Sequence, residues 1–198
     1  MKQHPEILLQ GVGAIGGVIA TKLVAAGHSL TLVTGNDAIA AAIRSNGLEL
    51  LQDGHTTRVT APVFARLGEL PESAQFDLSL LVMKAHAAEQ VACETMPYLA
   101  ADGFLLPLQN GLIGLDVARG IGAAQAICGV VTFGATMLDP GRYDGTVPGT
   151  VVIGELDNQL SARLAAAAAI LESVASVVTT ANLTGTLWAK LVGVPPKR

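Results

Sequence analysis

A glycine-rich turn near the start of the chain places the strongest constraint on its fold. The residues Gly11-Val12-Gly13-Ala14-Ile15-Gly16 follow an apolar run at 7–9 and precede a segment whose apolar residues recur at helical spacing. Gly11 permits a tight turn, Gly13 lets the backbone approach an anion, and Gly16 lets a helix pack closely on the strand. The N–H groups and the positive dipole end at the start of that helix would face the anion. The pattern predicts a strand, a turn and a helix that together hold a pyrophosphate.

The residues that follow favour a dinucleotide site over a plain glycine-rich loop, the alternative raised by a chain with 22 glycines in 198 residues. Helical spacing continues to Leu23, and Gly27 is typical of a helix end. Residues 29–34 are typical of a second strand. The resulting strand–helix–strand unit has the expected length of about 30 residues.

Composition and charge exclude several other classes of function. The net charge is −4, and lysines and arginines are scattered singly, so we expect no nucleic-acid partner. Apolar runs such as 165–171 fall far short of the ~20 residues that a membrane span needs, and no signal-peptide pattern begins the chain. We therefore expect a cytoplasmic protein without a membrane partner. Cys93 and Cys128 lack the spacing of metal ligands, which predicts two buried thiols and no metal site.

Polar residues follow two further predicted strands. Residues 76–83 form a nearly continuous apolar run that ends at Lys84, and residues 103–108 are followed by Gln109-Asn110-Gly111. Ligands bind beyond the carboxyl ends of the strands in an open α/β sheet. We therefore expect the glycine turn, Lys84 and Asn110 to meet at one edge of the sheet.

The alternation of strands and helices predicts an α/β protein with a Rossmann-type, doubly wound and mostly parallel sheet. Asp53-Gly54 predicts a tight hairpin turn. Residues 127–137 and 146–153 are strand-like and joined through Asp139-Pro140-Gly141, which predicts an antiparallel hairpin that extends the sheet. An alanine-rich helix with Leu160 and Leu164 on its buried side is expected next, and residues 182–192 predict a last helix.

The chain resembles the ketopantoate reductase (2-dehydropantoate 2-reductase) family in six motifs whose order and spacing match over almost the whole sequence. The motifs are the turn at 11–16, Val82-Met83-Lys84, Gln109-Asn110-Gly111, Asp139-Pro140-Gly141-Arg142, Ile153-Gly154-Glu155 and Leu187-Trp188-Ala189-Lys190-Leu191. The resemblance implies NADP(H)-dependent reduction of the keto acid ketopantoate to pantoate, a step towards pantothenate and coenzyme A.

The resemblance also implies roles for individual residues. Lys190 is similar to the family's catalytic lysine, a general acid that would stabilise and protonate the oxygen on which charge grows during hydride transfer. Lys84 and Asn110 correspond to residues at the cofactor edge, and Ala135 to a backbone contact on the nicotinamide side. Without the resemblance, Lys190 would be interpreted as a solvated helix lysine, and Asn110 as a turn residue in a left-handed conformation.

The chain departs from the family pattern after the second predicted strand. Thr34-Gly35-Asn36-Asp37 stands where the family usually has an arginine that binds the 2′-phosphate of NADP. Asp37 lies about 20 residues beyond the glycine turn, where an acidic residue binds the ribose of NAD. Arg44 is the nearby cation that could substitute for the arginine. NAD(H) therefore remains an alternative to NADP(H).

The other departure is at the end of the chain. We expect a dinucleotide-binding domain at 1–185 and the start of a hinge helix at 186–198, with the family's helical C-terminal domain missing through truncation. Val194 stands at the position of a substrate-binding asparagine of the family. An apolar face left by the missing domain would favour self-association. A non-catalytic NAD(P)(H)-binding module, and a reductase of another small 2-keto acid or a dehydrogenase of a 3-hydroxy acid, remain alternative functions.

Overall fold

The computed structural model describes residues 4–84 and 87–193. Its strands, in chain order, are β1 (Glu6–Gln10), β2 (Ser29–Val33), β3 (Leu48–Gln52), β4 (His55–Val59), β5 (Val63–Phe64), β6 (Phe76–Leu81), β7 (Leu99–Pro107), β8 (Cys128–Val131), β9 (Gly134–Asp139), β10 (Arg142–Val147), β11 (Thr150–Gly154) and β12 (Ser176–Thr179). Its helices are α1 (Ala14–Ala25), α2 (Asp37–Asn46), α3 (Ala88–Thr95), α4 (Ile113–Ile121), α5 (Ala162–Leu171) and α6 (Leu183–Gly193).

A five-stranded parallel sheet in the order β5-β2-β1-β6-β7 forms the centre of the fold. All six residues of β6 are buried, as expected of a strand that is covered on both faces. Helix α1 packs near β1 and β2, whereas α3 and α4 contact each other and pack on β6 and β7. The chain winds away from β1 in both directions, so the predicted doubly wound α/β architecture is confirmed.

The second half of the chain builds two further sheets. Strands β4-β3-β10-β9 form one of them, and β12-β11-β8 form the other. The second of these continues the central sheet, because Ala126, just before β8, forms a parallel bridge with Leu105 of β7. The predicted hairpin is present, since β9 and β10 pair antiparallel. Its β8-β11 part extends the central sheet as predicted, because β8 and β11 also pair antiparallel, whereas β10 pairs in parallel with β3 and takes the β9-β10 part into the other sheet.

Residues 127–137 and 146–153, each predicted as one strand, are each divided between two sheets. The chain leaves β8 and enters β9 at 132–133, and it leaves β10 and enters β11 at 148–149. These two crossings touch, because a Cβ on Gly149 would lie 2.4 Å from the backbone nitrogen of Phe133. Such close backbone contact allows the paired segments to change sheets together.

Several local predictions can be compared directly with the structure. The turn at Asp53-Gly54 is confirmed, with positive φ angles of 50° and 75°. Leu160 was predicted to be buried but is 70% exposed, because Ser161 caps the helix and α5 begins only at Ala162. Cys93 was also predicted to be buried and is exposed, whereas Cys128 is buried.

The predicted division of the chain after residue 185 falls inside α6 and stays a prediction. The last part of the predicted hinge segment, 194–198 with Val194, lies outside the described residues. Among the helices that the structure describes, none is long and apolar enough to cross a membrane. Residues 4–84 and 87–193 contain no cluster of three or more His, Cys, Asp or Glu side chains that could hold a metal ion.

Tyr143 of β10 attaches the β3-β4-β9-β10 sheet to helix α1. Its side chain is 1% exposed, and its hydroxyl donates a hydrogen bond of 3.0 Å to the carbonyl of Val12. The ring lies against Gly17, where a Cβ would come within 2.1 Å of a ring carbon. The absence of a side chain at Gly17 therefore makes room for this aromatic ring.

We expect Gly17→Ala to destabilise the fold, because the added methyl group must displace the Tyr143 ring. Overpacking of this kind costs about 1–3 kcal/mol, which outweighs the ~0.5–1 kcal/mol that alanine contributes over glycine within a helix. Urea unfolding measures the change. Gly120→Ala is the matched control, because Gly120 lies in α4 with no described atom within 4 Å of its Cβ position. Equal midpoints for the two variants would contradict this account of Gly17.

Candidate functional site

A cleft of about 1140 Å³ opens at the carboxyl ends of the central strands. Residues that follow β1, β2, β6 and β7 line it together, as expected for an open parallel sheet whose strand order changes at β1. The predicted site residues that line it are Gly11, Gly13, Ala14, Ile15, Lys84 and Asn110. The structure therefore brings together the residues that we expected to meet at one sheet edge. The volume lies slightly above the ~300–1,000 Å³ typical of ligand sites.

The glycines of the turn occupy three different environments. Gly11 has a φ of +93°, and a Cβ there would lie 2.5 Å from the backbone nitrogen of Met83. A Cβ on Gly16 would lie 1.9 Å from the carbonyl oxygen of Gly11. Gly13 is exposed, with no described atom within 4 Å of its Cβ position. Gly11 and Gly16 thus allow close packing, while Gly13 leaves open space on the cleft side.

The start of helix α1 is suited to an anion. Gly13 is its N-cap, and no described side chain caps it. The first turn contains no acidic residue, so its N–H groups and the positive end of the helix dipole face the cleft without a competing carboxylate. The space beside Gly13 and this helix start fit the pyrophosphate of a dinucleotide.

Four predicted site residues lie outside the lining of the cleft: Val12, Gly16, Ala135 and Lys190. Val12 is fully buried, and its carbonyl accepts the hydrogen bond of Tyr143. Gly16 is buried where α1 packs on the turn. Ala135 lies on β9, partly buried against the main core. Val12 and Gly16 thus support the turn from beneath, and the predicted backbone contact of Ala135 with a cofactor stays a prediction.

Lys190 lies outside the lining of the cleft, but its ammonium contacts two residues that line it. Lys190 lies on α6 and is half-buried. Its Nζ donates a hydrogen bond of 2.6 Å to Oδ1 of Asn110 and another to the carbonyl of Val131. Both of these acceptors belong to residues that line the cleft. Burial lowers the pKa of the Lys190 ammonium below that of a free lysine. An ammonium with a lowered pKa, held at a cleft, can donate a proton to a ligand oxygen.

Lys84 follows β6 and lies exposed at the rim of the same cleft. A lysine at the carboxyl end of a strand offers a mobile point charge to a phosphate or ribose. Lys84 therefore places an exposed cation on the cleft, and Lys190 places a half-buried cation against two of the residues that line it.

Two glutamines that the sequence analysis did not identify as site residues also line the cleft. Gln10 is fully buried at the end of β1, and its Nε2 donates to Ser79 Oγ at 3.1 Å and Thr95 Oγ1 at 2.7 Å. Neither its Oε1 nor that of Gln109 has a hydrogen-bond partner within residues 4–84 and 87–193. Buried acceptors are normally paired, so these two oxygens are exceptions among the described residues. The signal in the sequence was a polar residue ending an otherwise apolar strand.

Arg66 is the third residue of the cleft lining that the sequence analysis missed. Its guanidinium binds Asp37 bidentately, at 2.8 and 2.7 Å. The two residues considered from sequence at this end lie elsewhere: Asp37 and Arg44 do not line the cleft. Arg44 donates instead to the carbonyl of Val63 at 3.2 Å and lies 3.6 Å from Glu69. Arg66 was missed because β5, the strand that positions it, has only two residues and no periodicity.

Comparison with solved structures supports the fold. A crystal structure of a PanE/ApbA family ketopantoate reductase from Ralstonia eutropha JMP134 superposes with a TM-score of 0.81 at 28% identity, covering 94% of this chain and 60% of that one. A D-mandelate dehydrogenase, solved with NADH and anilino(oxo)acetate, superposes with a TM-score of 0.81 at 21% identity, covering 93% of this chain and 60% of that one. The second likeness bears on the fold alone.

Comparison of sequences identifies the family. The 2-dehydropantoate 2-reductase of Halobacterium salinarum is 28% identical over 190 residues, which are 94% of this chain and 61% of that protein. The chain thus spans about three fifths of the length of the relatives it matches. A family model described as ketopantoate reductase PanE/ApbA matches residues 7–158, which include the glycine turn, Lys84 and Asn110. With most of its length matched by that model, the chain belongs to the ketopantoate reductase PanE/ApbA family.

Proposed function

We propose that this chain binds NADP(H) and forms the cofactor side of an enzyme that reduces ketopantoate to pantoate. The observation that carries the proposal is the contact of Lys190 with Asn110 on the cleft that begins at the glycine turn. It joins a proton donor to a dinucleotide-type site, although the two residues are far apart in sequence. Membership in the ketopantoate reductase family supports the choice of substrate.

Different residues of the chain bind the cofactor, donate the proton and orient the proton donor. The glycine turn and the start of α1 bind the pyrophosphate of the cofactor, and Lys84 lies at the rim of the same cleft. When bound, the reduced nicotinamide supplies the hydride. Lys190 donates a proton from Nζ to the keto oxygen as negative charge grows there. Asn110 Oδ1 and the Val131 carbonyl orient the ammonium by accepting two of its three N–H groups, so that the third is available to the substrate.

A second candidate function is the reduction of another small 2-keto acid. The likeness in fold to the D-mandelate dehydrogenase solved with NADH and anilino(oxo)acetate favours this candidate. The fold near Lys190 could accept either substrate, since the proton donor acts on the keto oxygen that all 2-keto acids share.

Binding and turnover distinguish these functions. NADPH is titrated into the protein while the fluorescence of Trp188, half-exposed on α6, is recorded. Ketopantoate and the 2-keto acid that corresponds to mandelate are then compared as substrates by the oxidation of NADPH. Faster turnover of ketopantoate supports the proposal, and faster turnover of the other acid supports the second candidate. Binding without turnover of either acid supports a non-catalytic module, whereas the absence of binding at millimolar cofactor refutes all three.

We expect Lys190→Met to lower kcat for ketopantoate reduction by about 100-fold to 10,000-fold, the usual contribution of a general acid. The affinity for NADPH should remain that of the unchanged protein, because Lys190 acts on the keto oxygen. Stopped-flow kinetics and fluorescence titration measure the two effects separately. A variant that loses cofactor affinity and keeps kcat would contradict the assigned role.

The pH dependence of the reaction should report the lowered pKa of Lys190. Reduction requires the protonated amine, so kcat falls as pH rises through this pKa, which lies below that of free lysine. Oxidation of pantoate requires the neutral amine and rises over the same range. Lys190→Arg removes this alkaline transition, because a guanidinium stays protonated. An unchanged pH profile in that variant would assign the transition to another group.

The outer side of α6 supports self-association of the chain. Trp188, Leu191 and Val192 are 50%, 45% and 80% exposed, so three large apolar side chains of one helix face solvent. We expect the mass measured by light scattering to increase with protein concentration, and Trp188→Glu to suppress the increase. A monomer at every concentration would contradict this expectation.

A further inference from the structure

We infer that Arg66 selects the cofactor by binding the phosphate on the 2′ position of the adenosine ribose, so that the chain prefers NADP(H) to NAD(H). The inference rests on the proposed function, because it requires that the cleft hold a nicotinamide dinucleotide. It assigns the selecting cation to the segment after β5, whereas the sequence directed attention to the segment after β2.

The location of Arg66 is the first argument. NAD and NADP differ only at this ribose position, which lies beside the end of the second strand in folds of this kind. Two hydrogen bonds join that strand end to the segment that contains Arg66: Thr34 N donates to the carbonyl of Phe64 at 3.0 Å, and Gly35 N donates to the carbonyl of Ala65 at 2.9 Å. The pairing of β2 with β5 therefore holds Arg66 beside Gly35.

Space for a phosphate is the second argument. Gly35 has a φ of +70°, and no described atom lies within 4 Å of its Cβ position. Gly35, Asn36 and Arg66 all line the cleft. Helix α2 begins directly after Asn36, but the Asn36 side chain caps it and Asp37 lies in its first turn, so its start adds little attraction for an anion. An anion in this part of the cleft would find open space beside Gly35 and the guanidinium of Arg66.

The orientation of the ion pair is the third argument. Arg66 lines the cleft and Asp37 does not, so the guanidinium rather than the carboxylate borders the space for a ligand. Both oxygens of Asp37 accept from Arg66, which leaves the carboxylate poorly placed to bind the two hydroxyls of an NAD ribose. The guanidinium has five N–H donors and gives two of them to Asp37. Three donors are left for a phosphate.

The charges around Arg66 allow a phosphate to compete with Asp37 for the guanidinium. Asp37 and Glu69 lie 2.7 and 3.7 Å from its guanidinium, and Arg44 lies 3.6 Å from Glu69. Two cations and two anions therefore balance before a ligand binds. The side chains of Arg66 and Asp37 are 64% and 69% exposed, and exposed ion pairs of this kind are weak. A phosphate dianion can thus compete with Asp37 for the guanidinium.

The test compares ligands that differ by one phosphate. Titration calorimetry of the full chain measures Kd for adenosine 2′,5′-bisphosphate and adenosine 5′-monophosphate, and for NADP⁺ and NAD⁺. The 2′-phosphorylated member of each pair should bind more tightly to the unchanged protein. Arg66→Gln should weaken the 2′-phosphorylated ligands by about 10-fold to 100-fold, the range for hydrogen bonds between charged groups. The other two ligands should keep their affinity.

Two further variants separate the role of Arg66 from general effects of charge. Asp37→Asn should strengthen the 2′-phosphorylated ligands, because the competing carboxylate is gone, and should leave adenosine 5′-monophosphate unchanged. Arg119→Gln is the matched control, since Arg119 is an exposed arginine of α4 that is paired with Asp116 at 3.9 Å and does not line the cleft. It should change none of the four affinities. Circular dichroism verifies that each variant is folded.

Two results would overturn the inference while leaving the proposed function intact. One is an equal loss of all four ligands in a folded Arg66→Gln protein, which would make Arg66 a structural residue. The other is a preference of the unchanged protein for NAD⁺ that Asp37→Asn abolishes, which would make Asp37 the selecting residue. Failure of both dinucleotides to bind the unchanged protein would instead refute the proposed function.

Discussion

Backbone contact at glycine holds the site together. Gly11 lies against the backbone of Met83, and Gly16 lies against the carbonyl of Gly11, in each case closer than any Cβ would permit. The first contact brings the ends of β1 and β6 to one point, and the second sets helix α1 onto the turn. Gly17 extends the series by admitting the Tyr143 ring. The shape of the cleft depends on the first two approaches, because they set the positions of the turn, of Met83 and of the start of α1, which line it.

The parts of the fold that the sequence predicted are those specified locally. The unit β1-α1-β2 follows from spacing and from the glycine turn, and the meeting of Lys84 with Asn110 follows from parallel strand order. The place of the β9-β10 hairpin could not be predicted in this way. It depends on the pairing of Tyr143 with Leu50, which lie far apart in the sequence, and on the fit of the Tyr143 ring over Gly17.

In the candidate site, too, some features could be predicted from the sequence and others depend on contacts between distant residues. Spacing alone would place Lys190 on an ordinary solvated helix face, and family resemblance pointed to it as a proton donor. The structure adds the contact with Asn110 and the half-buried environment that lowers its pKa. Neither spacing nor the family resemblance pointed to Arg66. The two-residue strand β5 leaves no pattern in the sequence, and Arg66 follows that strand, whereas the sequence directed attention to the segment after β2.

The hydrogen bond from Tyr143 to Val12 also bears on the order in which the molecule is assembled. The two residues are 131 positions apart, so a ribosome must add most of the chain before the hydroxyl can reach that carbonyl. Until then the buried side of α1 at Gly17 has no ring to cover it. Non-local contacts of this kind form late, because the entropy of closing a long loop is lost before the contact stabilises anything. The glycine turn, which is synthesised well before Tyr143, is therefore among the last segments to acquire its final packing.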